Sequence, residues 1–186
     1  MAADRARVFF ALWPEADVAQ TLAAAARDAQ AECGGRATAP EKIHLTLFFV
    51  GDVERGRVGS LQALARSVTA DGFSLDLNVL DYWRHNRIVW GGPRRCPEAL
   101  ATLVANLQER LSAEGIESEE RPYVPHLTLV RNARRAPERT TLGPLAWHAD
   151  DFVLVESVPA GGGVRYDVIG RWPLAAPDNS LQKEAR

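Results

Sequence analysis

The tetrapeptide His-Leu-Thr-Leu occurs twice in this chain, at residues 44–47 and again at residues 126–129, 82 positions further on. Both copies lie in short apolar segments that are typical of strands. Because side chains alternate between the faces of a strand, each histidine shares a face with its threonine, and the leucines point the other way. We therefore expect buried leucines in two similar lobes, related by a pseudo-two-fold axis, and His/Thr faces that line a groove between the lobes.

His44 and His126 are suited to acid and base catalysis at a phosphorus atom. Histidine titrates near neutral pH, so one imidazole can accept a proton while its charged partner donates one. In-line displacement needs these groups on opposite sides of the phosphorus, because the nucleophile enters and the leaving oxygen departs along one axis. The hydroxyls of Thr46 and Thr128 can donate hydrogen bonds to the non-bridging oxygens. The residues alone do not say which histidine is the acid.

This arrangement requires no metal and no other cofactor. Two imidazoles without a carboxylate or thiolate at ligand spacing make a poor zinc site, and Asp52 is interpreted as a turn residue. His85 and His148 lack a paired threonine and are interpreted as structural or exposed. A simpler interpretation of the repeat, an old duplication kept for packing, accounts for the leucines and leaves the histidines unexplained.

Two arginines near the second motif are candidate phosphate contacts. Arg131 lies five residues after His126 and so faces away from it in a regular strand. It reaches the groove only if the strand ends or bends, and otherwise it is a solvated strand end. The planar fork of an arginine suits phosphate, and Arg121 has the same two interpretations.

Aromatic residues near the motifs are candidate platforms for a nucleobase. Phe48 continues the face of His44 and Thr46 if the strand is regular. Core packing is the competing interpretation for this residue and for the other candidates, which are Tyr123, Phe10, Trp83 and Trp90.

Helical and strand patterns alternate along the chain. Helices are predicted over residues 15–31, 55–69 and 97–115, and strands over residues 8–13, 43–50, 73–79, 88–90, 123–130, 151–158 and 164–172. Several neighbouring strands are joined by short turns, among them one at residues 161–163. An α+β fold with antiparallel pairing is therefore favoured over a doubly wound parallel sheet. We expect one bilobal domain over residues 1–176 and a disordered tail over residues 177–186.

Composition limits the classes of function. The 186 residues include 46% hydrophobic residues and 22 basic against 24 acidic side chains, for a net charge of −2. This excludes a disordered chain and argues against a protein that grips long nucleic acid over a basic face. Two cysteines, Cys33 and Cys96, without CxxC spacing indicate neither a disulfide framework nor a zinc site. With no apolar run that approaches the length of a membrane span, we expect a soluble cytoplasmic protein, monomeric and without a membrane partner.

The paired motif resembles the signature of the 2H phosphoesterase superfamily. Residues 7–12, 44–51, 121–131 and 156–172 further resemble the bacterial RNA 2′,3′-cyclic phosphodiesterase family, historically called 2′-5′ RNA ligases. The resemblance implies a bilobal fold with a central cleft and metal-independent opening of a terminal 2′,3′-cyclic phosphate to a 2′-phosphate. It implies that His44 donates a proton to the departing 3′ oxygen and that His126 is the base that activates water. It also favours a phosphate or nucleotide contact for Arg131.

Three alternatives remain open at this point. The chain could act as a 2′-5′ RNA ligase, or as a phosphodiesterase on another cyclic or 2′-5′-linked nucleotide. It could also be a non-catalytic module that binds nucleotides or RNA ends. Removal of either histidine separates catalysis from binding, since general acid–base catalysis is worth about 10²–10⁴-fold in rate.

Overall fold

The computed structural model describes residues 4–117 and 122–176. Its helices are α1 (Ala16–Cys33), α2 (Val58–Ala65) and α3 (Glu98–Ala113), with 3-10 turns at Pro40–Lys42 and Arg55–Arg57. The strands are β1 (Arg5–Leu12), β2 (Arg36–Ala37), β3 (Leu45–Glu54), β4 (Phe73–Trp83), β5 (Ile88–Pro93), β6 (Leu127–Arg131), β7 (Ala146–Ala149), β8 (Asp151–Ala160) and β9 (Gly163–Pro173).

These strands form one sheet in the order β7-β4-β5-β6-β3-β1-β8-β9, with β2 paired to the end of β6. Every pairing between named strands is antiparallel. The predicted α+β fold with antiparallel pairing is confirmed. The two strands that follow the repeated histidines, β3 and β6, are neighbours at the centre of the sheet.

All three helices bury their apolar side chains in one core against the same face of the sheet. In α1 the buried residues Ala19, Leu22, Ala23, Ala26 and Ala29 recur every three or four positions, as an amphipathic helix requires. The strands contribute Phe10, Leu45 and Leu127 to this core. The opposite face of β1 and β8 carries a smaller cluster of Phe9, Ala11, Val153 and Val155. One face of the sheet is therefore devoted to packing, and the other is available for a site.

A bulge in β3 corrects the prediction for Phe48. Ala11 pairs with Thr46 and Phe10 pairs with Phe48, so Leu47 is an extra residue without a partner on β1. The extra residue reverses the alternation, and Phe48 packs in the helix-covered core with 5% of its surface exposed. The prediction that Phe48 continues the face of Thr46 is wrong. Phe49 takes that face and is 48% exposed.

Other element boundaries differ from the predicted ones. The helix predicted over 55–69 is shorter, β4 extends to Trp83, and β6 begins only at Leu127. Pro125 lacks the N–H that a central strand needs, which accounts for the late start of β6. Strands β2 and β7 escaped prediction, because their two and four residues show no hydrophobic run. Gly161 and Gly162 form the tight turn between β8 and β9, as predicted, with φ of 51° and 83°.

The tail predicted over residues 177–186 lies outside the described residues, as does Arg121. Within the described ranges, each helix is too short or too polar to cross a lipid bilayer.

Candidate active site

The two repeated motifs meet across the centre of the sheet. Leu45 of β3 lies opposite Leu127 of β6 in an antiparallel pairing, and both leucines are fully buried. Continued by one residue each way, this register sets His44 across from Thr128, and Thr46 across from His126. The two imidazoles then occupy diagonal positions on the open face, whose backbone separation is typically about 7 Å.

The buried leucines hold this register. Each contributes about 2 kcal/mol of hydrophobic stabilisation when fully buried. A slip of either strand by one residue would turn its leucine to solvent and drive the polar residues of its motif into the core. Packing on one face of the sheet therefore determines which side chains meet on the other.

Both histidines are held in the same way. Nδ1 of His44 lies 2.8 Å from the carbonyl oxygen of Lys42, and Nδ1 of His126 lies 2.8 Å from that of Val124. A carbonyl only accepts, so Nδ1–H donates in both cases. The neutral form of each ring therefore has its lone pair on Nε2, which is free to meet a substrate.

The pKa values of both imidazoles are lowered. Burial lowers the pKa of His44 from 6.5 to about 4 and also lowers the pKa of His126. The positive charge of Arg131 lowers both further, whereas the backbone carbonyls raise them. In the absence of a bound anion both rings are therefore neutral at pH 7, and an anion between them would favour protonation of one.

Aromatic rings enclose His44. The indole of Trp13 is stacked on it, with centroids 5.3 Å apart and an interplanar angle of 2°. The centroid of Phe9 lies 4.9 Å away, and Tyr166 presents a T-shaped contact at 5.2 Å. These three residues were not predicted from the sequence to lie at the site. The alternation of Phe9, Ala11 and Trp13 was an available signal for one shared face, whereas nothing local connects them to Tyr166.

The surroundings of His126 are different. Trp83 makes a T-shaped contact with a centroid distance of 4.5 Å, and Trp90 lies at 6.4 Å. Both had been considered as stacking platforms, together with Phe10, which is instead fully buried in the core.

Two cavities flank the paired motifs. The first, here called the cationic cavity, has a volume of about 760 Å³ and is lined by His44, Thr128 and three cations, Arg36, Lys42 and Arg131. Residues 37–39, 159–164 and Tyr166 complete its wall. No carboxylate occurs among the described residues of this wall. The charge of the cationic cavity is therefore complementary to an anion.

The second cavity, here called the aromatic cavity, has a volume of about 690 Å³ and is lined by Thr46 and His126. Phe49, Trp83 and Tyr123 supply rings, and His85, Asn86 and Gln108 supply polar groups; Leu47, Phe48, Pro122 and Val124 complete the wall. Flat rings with polar side chains suit a nucleobase. Across the described part of the chain, no three His, Cys, Asp or Glu side chains cluster as a metal site would require.

Arg131 reaches the site because β6 bends. Val130 pairs with Val89, and Thr128 pairs with Trp90, so Leu129 is an extra residue without a partner on β5. This bulge turns Arg131 to the face of Thr128, where it lines the cationic cavity. The condition set by the sequence analysis for Arg131 is met.

Tyr123, predicted as a substrate contact, lines the aromatic cavity. Its hydroxyl donates a hydrogen bond of 3.1 Å to the backbone oxygen of Thr46. Burial raises the pKa of Tyr123 far above its ordinary value, so the phenol stays protonated. Tyr123 thus ties the segment before β6 to β3.

The chain matches known proteins over most of its length. Residues 13–158 match the model of the 2′-5′ RNA ligase superfamily. The RNA 2′,3′-cyclic phosphodiesterase of Escherichia coli (strain K12) is 34% identical over 144 residues, which are 75% of this chain and 80% of that protein. The protein of the same name from Thermus thermophilus is 26% identical over 178 residues, 90% of each chain.

Solved structures agree with these matches. The crystal structure of E. coli LigT complexed with 3′-AMP superposes with a TM-score of 0.85 at 30% identity, covering 92% of this chain and 99% of that one. The same fold and the family match together confirm the resemblance drawn from the residues. The chain belongs to the 2′-5′ RNA ligase superfamily.

Proposed function

We propose that this protein hydrolyses RNA 2′,3′-cyclic phosphate ends to 2′-phosphates, with His44 and His126 as the acid and the base. The observation that carries the proposal is the antiparallel crossing of the two motifs, with both imidazoles on one open face and both Nδ1 atoms bonded to backbone carbonyls. The names of the E. coli and Thermus relatives support the same activity.

In the proposed reaction, neutral His126 takes a proton from water as the water oxygen attacks phosphorus. The bond between phosphorus and the 3′ oxygen breaks on the opposite side, and protonated His44 gives its proton to that oxygen. The products are a 2′-phosphomonoester and a free 3′ hydroxyl. The two histidines end with exchanged protonation states, and a proton transfer through solvent restores them.

Thr46, Thr128 and Arg131 stabilise the charge on the phosphoryl group. Both threonines lie in register beside the opposite histidine, so their hydroxyls can donate to the two non-bridging oxygens. Arg131 adds a permanent positive charge in the cationic cavity. Loss of a preorganised donor of this kind typically costs about 10²–10³-fold in rate at a fully buried site, and less at a half-open one.

The indole stacked on His44 supports this residue as the acid, against the effect of burial, which lowers its pKa to about 4. The acid must be charged before it donates, and a cation stacked on an indole ring gains about 0.5–2 kcal/mol. Trp13 lies flat against His44, whereas Trp83 meets His126 in a T-shaped contact. A bound phosphate adds a negative charge that favours the same protonated form.

The test is turnover of a short RNA that ends in a 2′,3′-cyclic phosphate, in EDTA, with the position of the product phosphate assigned. We expect a 2′-phosphate from the wild type and a loss of about 10²–10⁴-fold in rate in His44→Ala and in His126→Ala. The matched control is His148→Ala, which removes an imidazole of β7 outside both cavities. Bound RNA without turnover would instead indicate a binding module or a different cyclic phosphate.

We further propose that the enzyme acts as a cytoplasmic monomer on RNA ends or on nucleotides with a cyclic phosphate. Both motifs belong to one chain, so the site needs no second copy. Cys33 and Cys96 are free thiols, which suits a reducing compartment. Size-exclusion chromatography with light scattering tests the monomer, and cell fractionation tests the location.

A further inference from the structure

Two arginines lie directly opposite each other in the cationic cavity. Arg36 of β2 pairs with Arg131 of β6, and both side chains are exposed. Like charges at directly opposed positions of antiparallel strands destabilise the pair. Lys42 adds a third positive charge to the same wall. Among the described residues, no acidic side chain forms an ion pair with any of the three.

These cations differ in their effect on the histidines. The charge of Arg131 lowers the pKa of both imidazoles, whereas the side-chain charges of Arg36 and Lys42 are not among the causes of either shift. The charge of Arg131 therefore acts more strongly on the imidazoles than the charges of Arg36 and Lys42, although all three line the same cavity. The cavity of about 760 Å³ is much larger than one phosphate group and has room for a second.

Part of the wall of the cationic cavity is formed by glycines. The tight turn at Gly161 and Gly162 belongs to this wall, and open space surrounds the position that a Cβ would take at each glycine. Because glycine has no side chain, these two residues leave this part of the wall open to a longer substrate. The aromatic cavity, by contrast, has no arginine or lysine among its lining residues in the described part of the chain.

We infer that Arg36 and Lys42 bind a second phosphate of the substrate, the 5′ phosphate of the terminal nucleotide, through which that nucleotide is joined to the rest of the RNA. This inference rests on the proposed function. The cyclic phosphate and the 5′ phosphate are carried by one ribose, so both can enter one cavity together, and all three cations line its wall. The site thereby distinguishes an RNA end from a free nucleoside 2′,3′-cyclic phosphate.

The test compares two small substrates that differ by one phosphate, adenosine 2′,3′-cyclic phosphate and its 5′-phosphorylated form. Charge-assisted hydrogen bonds of this kind are worth about tenfold in affinity or more. We expect the wild type to show about tenfold higher kcat/KM for the 5′-phosphorylated substrate, through a lower KM. In Arg36→Gln the ratio of the two kcat/KM values should fall towards one, and in Lys42→Gln it should fall part of the way.

The matched control is Arg134→Gln. Arg134 is exposed near the same end of β6 but lies outside the lining of either cavity. The Arg134→Gln substitution removes the same net charge as Arg36→Gln. We expect this variant to keep the wild-type ratio of the two kcat/KM values. Arg36→Gln relieves the repulsion with Arg131, so its melting temperature should not fall, which separates a lost contact from lost folding.

Dependence on salt supplies a second readout with an RNA substrate. If Arg36→Gln loses one phosphate contact on a single strand, its slope of log kcat/KM against log salt concentration should be shallower than that of the wild type by about 0.7. Equal efficiency of the wild type on both small substrates, or an unchanged ratio in Arg36→Gln, would overturn the second phosphate site and leave the proposed function standing. Failure to turn over either small substrate and the RNA would overturn the proposed function itself.

Discussion

The two halves of the site share a backbone arrangement and differ in the cavity and the aromatic contacts beside each histidine. Each half contributes the same tetrapeptide, with the leucines buried and Nδ1 of each histidine donating to a carbonyl two residues earlier. His44, however, is stacked on Trp13 at the edge of the cationic cavity. His126 lies at the aromatic cavity, beside Trp83.

This difference separates two requirements of the proposed chemistry. In-line displacement needs two like groups on opposite sides of one atom, and a local two-fold arrangement supplies them. An asymmetric substrate needs unlike surroundings, with cations for phosphates on one side and rings for a base on the other. The symmetric part lies in two strands, and the asymmetric part is added by segments from elsewhere in the chain.

The largest effect is expected in the pH profile, which tests whether the two histidines have different roles. The pH profile of kcat/KM in the wild type should be bell-shaped, falling at low pH as the base is protonated and at high pH as the acid loses its proton. Because burial lowers both pKa values, the maximum should lie below pH 6.5, the ordinary pKa of histidine.

The residual activity of the two alanine variants should then assign the roles. His44→Ala should lose the alkaline limb of the profile, and His126→Ala should lose the acidic limb. The opposite assignment would exchange acid and base, and a flat wild-type profile between about pH 5 and 8 would contradict the paired-histidine mechanism altogether.

The next effect concerns the charge that both halves share. Arg131→Gln should lower kcat/KM by about 10–100-fold, as expected for a charged hydrogen-bond donor. Removal of this cation should raise the pKa of both histidines, so the pH optimum should move upward. NMR titration of the imidazole C–H signals measures the shift directly. Arg134→Gln is the control, and an unmoved optimum in Arg131→Gln would separate Arg131 from the imidazoles.

A smaller effect is expected for the two threonines. It tests whether both hydroxyls contact the phosphoryl group. Thr46→Val and Thr128→Val should each lower kcat by about tenfold, since each removes one hydroxyl donor at similar volume. Serine at the same positions keeps the hydroxyl and should restore most of the rate. If one valine variant keeps full activity, only one threonine contacts the phosphoryl group, and the symmetric arrangement of donors is wrong.

The smallest effect concerns folding stability in acid. The pKa of His44 is about 4 in the folded protein against 6.5 ordinarily, so the unfolded chain binds the proton more readily. The free energy of unfolding should therefore be largest above pH 6.5 and fall as the pH drops towards about 4. Urea unfolding should show a weaker fall in His44→Gln than in the control His148→Gln. Equal slopes in the two variants would indicate that His44 is accessible to solvent.

Short-range patterns predicted much of this molecule. The alternation within each tetrapeptide was enough to assign His44 and Thr46 to one face and Leu45 to the other, because a strand of four residues leaves little room for irregularity. The stripe of α3 was equally clear, and its residues Leu100, Leu103, Val104, Leu107 and Leu111 are all buried. These are local properties of the chain, set by the periods of helix and strand.

Such local patterns could not predict the bulges in the strands. Phe48 and Arg131 each lie beyond a bulge, and a bulge is defined by what the neighbouring strand pairs with. One extra residue exchanges the faces, so the alternation predicted a stacking role for a core phenylalanine and left Arg131 undecided. The residue types in the sequence do not mark Leu47 or Leu129 as the extra ones.

The sequence by itself determined the chemistry: two histidines and two threonines that alternate with leucines, because burial of the leucines leaves the polar groups one face only. Only the tertiary structure decided which side chains surround these groups. Trp13, directly after β1, and Tyr166 of β9 reach His44, and Arg36 comes to lie across from Arg131, through pairings between distant segments. Such pairings depend on the order of strands in the sheet and on packing over its whole area, which no local period encodes.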